Sequence, residues 1–193
     1  NDQATILAEL EALTKNIDHI KDIVVMQRNY AAVAGITETL PAVDVVEGAL
    51  RLNAASFERL GVQLIREYAD VPPVVMQRHK VLQILVNLVS NAEHALDDSG
   101  REDKRLTLQV GRNGNNSVKI SVIDNGVGIP PENLTRIFEH GFTTRKDGHG
   151  FGLHNGVLAA QEMGGTLTAH SDGPGKGAAF TLELPLADED TAR

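Results

Sequence analysis

The 193-residue chain contains no cysteine and no tryptophan, and aromatic residues make up only 4% of it. The lack of cysteine excludes a disulfide scaffold, a thiolate metal site and a cysteine nucleophile, and fits a reducing compartment. So few aromatics leave no base-stacking platform for nucleic acid. Positive charge is in deficit: 18 Lys and Arg stand against 26 Asp and Glu, a net charge of −8 with His neutral. That balance speaks against nonspecific nucleic-acid binding, so no nucleic-acid partner is expected. No apolar run approaches the roughly 20 residues of a membrane span. No signal peptide opens the chain. A cytoplasmic setting follows as the expectation, with no membrane contact encoded in this stretch. The first residue is Asn1 rather than Met, which reads as a piece of something longer. A hydrophobic share of 41% is enough to fill a core, and the length suits one domain, or one domain with a helical attachment.

The cleanest period lies at the start. Ile6, Leu10, Leu13, Ile17, Ile20 and Val24 follow steps of 4, 3, 4, 3 and 4, an a/d heptad seam. Burying each such side chain is worth roughly 1.5–3 kcal/mol, which a lone helix cannot collect. The segment 1–35 is therefore expected to be a coiled-coil-like helix that joins a helical bundle through a missing helix or a second chain, the alternative being a helix docked on the core of its own chain. Beyond it, residues 43–55 read as a helix and 61–67 as an alternating strand closed by Val71-Pro72-Pro73. Residues 76–96 form a long helix with Val81, Leu82, Leu85, Leu88 and Val89 on its buried face. Segments 106–110 and 118–123 alternate around Asn113-Gly114-Asn115-Asn116, a hairpin signature. A loop-rich stretch runs from 124 to 150. A helix over 151–163 ends at Gly164-Gly165, and strands 166–170 and 178–184 follow. Residues 188–193 read as a tail. Strands mixed with helices predict an α/β fold, a two-layer sandwich with one sheet face covered by helices.

Four clusters carry chemical interest. On the long helix, Asn87 and Asn91 stand four apart and share a face beside the apolar stripe. Asparagine is a poor mid-helix residue; two stacked amides could offer oxygens to Mg²⁺, or simply tie the helix to a loop. Asp124-Asn125-Gly126-Val127-Gly128-Ile129-Pro130 follows a strand. An aspartate there can accept from a ligand amine while the glycines let backbone approach, though DNG is also an ordinary turn. Gly148-His149-Gly150-Phe151-Gly152-Leu153 opens a helix, which leaves backbone N–H groups for phosphate. Its spacing is not the dinucleotide fingerprint, and no GxxxxGK[ST] loop occurs. The fourth, Gly173-Pro174-Gly175-Lys176-Gly177, reads by itself as a tight hairpin.

Their order is more specific than any one of them. An asparagine helix, then DNGxGI, IFEHGFTT, GHGFGL and a GxG before a closing strand resembles the catalytic and ATP-binding domain of sensor histidine kinases of two-component systems. That domain belongs to the wider superfamily of gyrase, chaperone, histidine-kinase and mismatch-repair ATPases. The resemblance implies a Bergerat-type fold over residues 42–187, with ATP and Mg²⁺ as cofactors. It also implies roles. Asn87 and Asn91 match the asparagine box, with Asn91 the firmer Mg²⁺ ligand. Asp124 matches the acceptor for the adenine amino group, flanked by Gly126, Gly128 and Ile129. Phe138 and Phe142 match the aromatic box of a lid between 130 and 148. Thr143, Thr144, Arg145 and Lys146 lie in that lid, its two cations within reach of a γ-phosphate. Gly148, Gly150 and Gly152, with Phe151 and Leu153, match the hinge that approaches the phosphates. His94 stands where such kinases often carry a phosphate-contacting side chain. Gly175 and Gly177 match the last glycine box. Ala178 departs from the usual Thr there, and Thr181 is the candidate to replace it.

The heptad helix then resembles the second helix of the dimerisation and phosphoacceptor domain, which implies a homodimer and a response-regulator receiver domain as partners. The accepting histidine is not in this chain; His19, in HIKD, lacks the acidic residue that usually follows it. The superfamily's hydrolases carry a glutamate where this chain has Asn87, an amide that cannot take a proton. General-base help is worth about 10²–10⁴ in rate, so its loss favours transfer over attack by water. Glu93 lies roughly 200° around the helix from Asn91 and should not substitute. The expected activity is that of a protein histidine kinase core serving a phosphorelay, with the fragment itself not self-phosphorylating. A nucleotide-gated interaction module without transfer and a gyrase-like ATP hydrolase are the alternatives.

Overall fold

The computed structural model describes residues 36–114, 116–145, 148 and 150–186. The heptad seam, His19, Lys146, His149 and the tail at 188–193 lie outside the described residues. Two compact units divide the chain, Asn1–Ile36 and Thr37–Arg193, and the second carries the fold below.

Among the described residues, seven strands and four helices make up that fold: β1 (Glu38–Leu40), α1 (Ala42–Leu52), α2 (Ala54–Leu60), β2 (Gln63–Tyr68), β3 (Val74–Met76), α3 (Arg78–Asp98), β4 (Arg105–Asn113), β5 (Ser117–Asp124), α4 (Gly152–Glu162), β6 (Thr166–His170) and β7 (Ala178–Pro185). Five strands form the main sheet in the order β2-β4-β5-β7-β6. β2 runs parallel to β4, and the other pairs are antiparallel. Strand alternation sorts the side chains. Leu106, Leu108 and Val110 of β4, Val118, Ile120 and Val122 of β5, and Phe180, Leu182 and Leu184 of β7 are all buried. They share one core with α3, whose Val81, Leu85, Leu88, Ala92 and Leu96 recur at helical spacing and are almost wholly buried. α1 and α4 flank α3. The other sheet face carries partly or fully exposed residues such as Thr107, Gln109, Lys119 and Thr168. The result is the two-layer α/β sandwich expected of the sequence.

Three local features differ from expectation. Residues 43–55 do not form one helix: the chain breaks at Asn53, whose Nδ2 donates to the Ala49 carbonyl at 2.9 Å, and a second helix, α2, follows. An asparagine side chain that engages the preceding turn competes with helix propagation. Met76 closes a strand rather than opening α3, because Glu38–Leu40 pairs antiparallel with Val74–Met76 as a separate two-stranded sheet. The loop-rich stretch holds two short 3-10 turns, Pro131–Asn133 and Arg136–Phe138.

Candidate functional site

The site is built around α3 between Asn87 and Ala95. Leu88, Ala92 and Leu96 point into the core, so Asn87 and Asn91 stand at the margin of the buried face and are half-buried. Neither side-chain amide hydrogen-bonds another described residue. At the Asn87 end the helix meets the start of α4. A Cβ added to Gly152 would overlap the Asn87 amide, so a side chain there would displace that amide from the start of α4. That turn has no side-chain cap, and its leading N–H groups remain available to an anion. Phe151 and Leu153, on either side of Gly152, are half-buried.

At the other end α3 meets the loop after β5. Val127 N donates to the Ala95 carbonyl at 3.1 Å. A Cβ at Gly126 would lie 2.5 Å from that carbonyl oxygen, so any side chain there would push the loop off the helix. Gly128 adopts φ +72° and abuts the carbonyl of Gly173, a conformation and a spacing that only glycine meets without strain. The loop 173–177 is fastened to this one: Gly175 N donates to Val127 O at 2.6 Å and Gly177 N to Gly126 O at 3.2 Å.

Asp124 ends β5 between these loops. Alternation puts it on the helix-facing side of the sheet, where it is 5% exposed. Its Oδ1 accepts from Gly126 N at 2.8 Å. Burial raises its pKa to about 6, against the opposing pull of backbone N–H groups from Gly126 and Ala178. A carboxyl held in such a place at the wall of a glycine-lined cleft is a candidate for ligand recognition.

The segment over α3 is anchored at its base. Gly141 N donates to the Gly150 carbonyl at 3.1 Å. His154 of α4 donates from Nδ1 to the Phe138 carbonyl at 3.0 Å. The His140 ring lies 4.8 Å from Phe151 and 5.2 Å, edge-on, from His154. The Arg136 guanidinium sits 4.7 Å over the Phe142 ring, a cation–π contact. Farther along, Arg145 reaches back to α3 and donates to His94 Nε2 at 2.6 Å, while His94 Nδ1 contacts the Ser90 carbonyl at 2.5 Å. A carbonyl only accepts and a guanidinium only donates, so His94 carries its proton on Nδ1 and presents a bare Nε2. Thr144 is exposed, and Gly148 folds against Thr143.

The structure thus gathers Asn87, Gly152, Asp124, Gly126, Gly128, Arg145 and His94 along one helix. Thr181 is not brought to the group. Asp124 pairs with Ala178 across β5 and β7, and Thr181 lies three residues on, an odd step that turns it to the opposite sheet face. There it shares a hydrogen bond of 3.0 Å with Ser121. Glu93 also stands apart: it is 7% exposed, its Oε1 has no partner among the described residues, and burial raises its pKa. The sequence assigns no role to two residues that the structure puts to use. Asn125 pins the start of β4, accepting from Arg105 N at 2.8 Å and donating to Asp103 O at 2.7 Å. Ser171, 8% exposed, accepts from Ile129 N at 3.0 Å and donates to Gly177 O at 2.6 Å. A hydroxyl just before a glycine run was the available signal for Ser171.

These residues fit a nucleotide and a hard cation. A buried acceptor beside close-packed glycines suits a purine amine, and a helix N-terminus suits phosphate. Among the described residues no group of three or more His, Asp or Glu comes together. A cation here would rest on amide oxygens, phosphate oxygens and water, the donor set that Mg²⁺ accepts.

Residues 76–188 match the family described as histidine kinase-, DNA gyrase B- and HSP90-like ATPase. The sensor histidine kinase ZraS of Klebsiella oxytoca is 43% identical over 107 residues, 55% of this chain and 22% of that protein. The sensor histidine kinase TmoS of Ectopseudomonas mendocina is 31% identical over 196 residues, 97% of this chain and 20% of its own. The chain thus spans about a fifth of the length of these two relatives. The catalytic domain of histidine kinase ThkA superposes with a TM-score of 0.69 at 24% identity, covering 78% of this chain and 98% of its own. Full-length ShkA, solved with AMPPNP, gives 0.74 at 23% identity over 97% of this chain and 39% of its own. At such identities these two likenesses establish the fold. The family match over more than half of the chain establishes the family: the chain belongs to the histidine kinase-, DNA gyrase B- and HSP90-like ATPases, and the two relatives above are sensor histidine kinases.

Proposed function

We propose that residues 42–187 bind Mg-ATP and donate the γ-phosphate to a histidine on a dimerisation bundle, for onward transfer to an aspartate of a response-regulator receiver domain. The observation that carries this reading is the buried Asp124 carboxyl, wedged between two glycine loops at one end of α3 while two unengaged amides and the start of α4 lie toward the other. In this reading Asp124 accepts from the adenine 6-amino group, and Gly126 and Gly128 let the purine lie against backbone. The leading N–H groups of α4 take the phosphates. Asn87 and Asn91 hold the cation by their amide oxygens. Bound Mg²⁺ would neutralise phosphate charge and align the transferred group. Arg145 would leave His94 for the γ-phosphate, closing the lid over the site.

In the transfer, the bond from the γ-phosphorus to the bridging oxygen breaks, a bond from phosphorus to the acceptor imidazole nitrogen forms, and ADP departs. Asn87 cannot deprotonate water, and Glu93 is buried away from Asn91 on α3, which favours transfer over hydrolysis. Segment 1–35 would supply the second bundle helix and the homodimer contact. The experiment mixes this chain with labelled ATP, Mg²⁺ and a longer version of the protein that carries the preceding helix. Label on a histidine of the longer chain supports the kinase. Steady phosphate release by this chain alone supports a hydrolase, and nucleotide binding with neither product supports a gated interaction module.

A further inference from the structure

We propose that Ser171 is the positioning residue of the purine subsite and sets its selectivity for a 6-aminopurine. The proposal rests on the ATP-binding reading above and concerns a side chain that reading does not use. Ser171 follows β6 directly, and its hydroxyl ties three segments together. It accepts from Ile129 N at 3.0 Å and from Gly173 N at 3.3 Å, and donates to the Gly177 carbonyl at 2.6 Å. A hydroxyl has one proton and two lone pairs, so its capacity is filled.

These bonds complete a circuit around the carboxylate. Asp124 Oδ1 accepts from Gly126 N, and Gly126 O accepts from Gly177 N. Gly177 O accepts from Ser171, and Ser171 accepts from Ile129 N. The loop that orients Asp124 is thus held at Gly126 against Gly177 and again at Ile129 against Ser171, which is itself bonded to the loop 173–177. Gly177 packs on the Asp124 backbone so closely that a Cβ would overlap the Asp124 carbonyl. Without the hydroxyl, two N–H groups lose an acceptor and one carbonyl loses its donor. The bonds from Gly175 N to Val127 O and from Gly177 N to Gly126 O remain, but the loop loses its tether at Ile129, and the carboxylate is held less tightly at its distance to a purine 6-substituent. The amides of α3 and the start of α4 belong to other elements and stay in place. The effect falls on discrimination at the base, with phosphate binding left intact.

Calorimetric titrations with ADP and with inosine diphosphate, which carries a 6-oxo group, separate these effects. Wild type should prefer ADP. Ser171→Ala should shrink the ratio of the two affinities about tenfold, the scale of a lost buried hydrogen bond, chiefly through weaker ADP binding. Ser171→Cys keeps the packing and weakens the bonds, so it covers the case in which the alanine variant does not fold; it should shrink the ratio less. Ser171→Thr keeps the hydroxyl and should hold the wild-type ratio. The proposal is overturned if the folded Ala and Cys variants keep the wild-type ratio, even with lowered melting temperatures, or if Thr loses it as Ala does. A wild-type chain that binds neither nucleotide sinks the ATP reading itself, an outcome distinct from these.

Discussion

Replacing Asp124 by asparagine should make the nucleotide-free protein more stable at neutral pH. In the fold the Asp124 carboxyl titrates at about 6 rather than 3.8, because burial penalises its charged form more than the Gly126 and Ala178 N–H groups favour it. The sign follows from proton counting. Between about pH 4 and pH 6 the folded chain holds a proton that the unfolded chain has released, so stability falls as pH rises through that window. Above it the full cost stands. About two units at 1.36 kcal/mol each come to about 3 kcal/mol. Asparagine cannot ionise, and its Oδ1 keeps an acceptor for Gly126 N. Its new N–H₂ group needs a partner in a buried place, so about 3 kcal/mol is a ceiling on the gain. Urea unfolding of both proteins at pH 7.5 and pH 3.5 measures the effect, and the difference between them cancels every other titrating group. The variant should be more stable at pH 7.5, with the gain shrinking toward zero at pH 3.5. A variant equally or less stable at both pH values would refute the argument that this carboxylate is held ionised against its environment.

Other substitutions probe other parts of the site. Gly126→Ala places a Cβ against the Ala95 carbonyl; it should lower stability by about 1–3 kcal/mol, the range for overpacking, and weaken nucleotide binding, as read by urea melts and calorimetry. Asn91→Ala should abolish the Mg²⁺ dependence of nucleotide affinity and leave affinity in EDTA nearly unchanged; an unaltered Mg²⁺ dependence removes Asn91 from the cation site. Glu93→Gln removes a buried charge whose pKa burial raises. A raised carboxyl pKa means stability is lost as pH rises, so the variant should gain in melts at pH 8 and lose that gain at pH 3.5.

Legibility of the sequence followed the range of the interactions. β4, β5 and β7 were readable because alternation is local and each buries every second residue in the core under the helices. Most of the buried face of α3 was readable for the same reason, since Val81, Leu85, Leu88 and Val89 are buried as expected, while Leu82, read onto the same face, is only half-buried. The small β1–β3 sheet was not: three-residue strands have no period to detect, and Thr39 meets Val75 only through long-range pairing. The parallel pairing of β2 with β4 was hidden likewise. Within the site, the glycine spacings indicated where backbone comes close, and Gly126 and Gly152 do approach neighbours that a side chain would strike. Thr181 shows the opposite case. Counting from Ala178, the partner of Asp124, an odd step already excluded the Asp124 face, but the pairing had to be known before the count could be made. Ser171 depends on three segments meeting, which no local pattern encodes.

The most direct measurement is a calorimetric titration of the chain with ATP and Mg²⁺, run in parallel on Asp124→Ala. A cleft gripping the purine through Asp124 predicts single-site saturation for wild type and at least a tenfold weaker affinity for the variant, the scale of a lost charge-assisted hydrogen bond. No saturable heat from the wild type, or equal affinity in the two proteins, would contradict it.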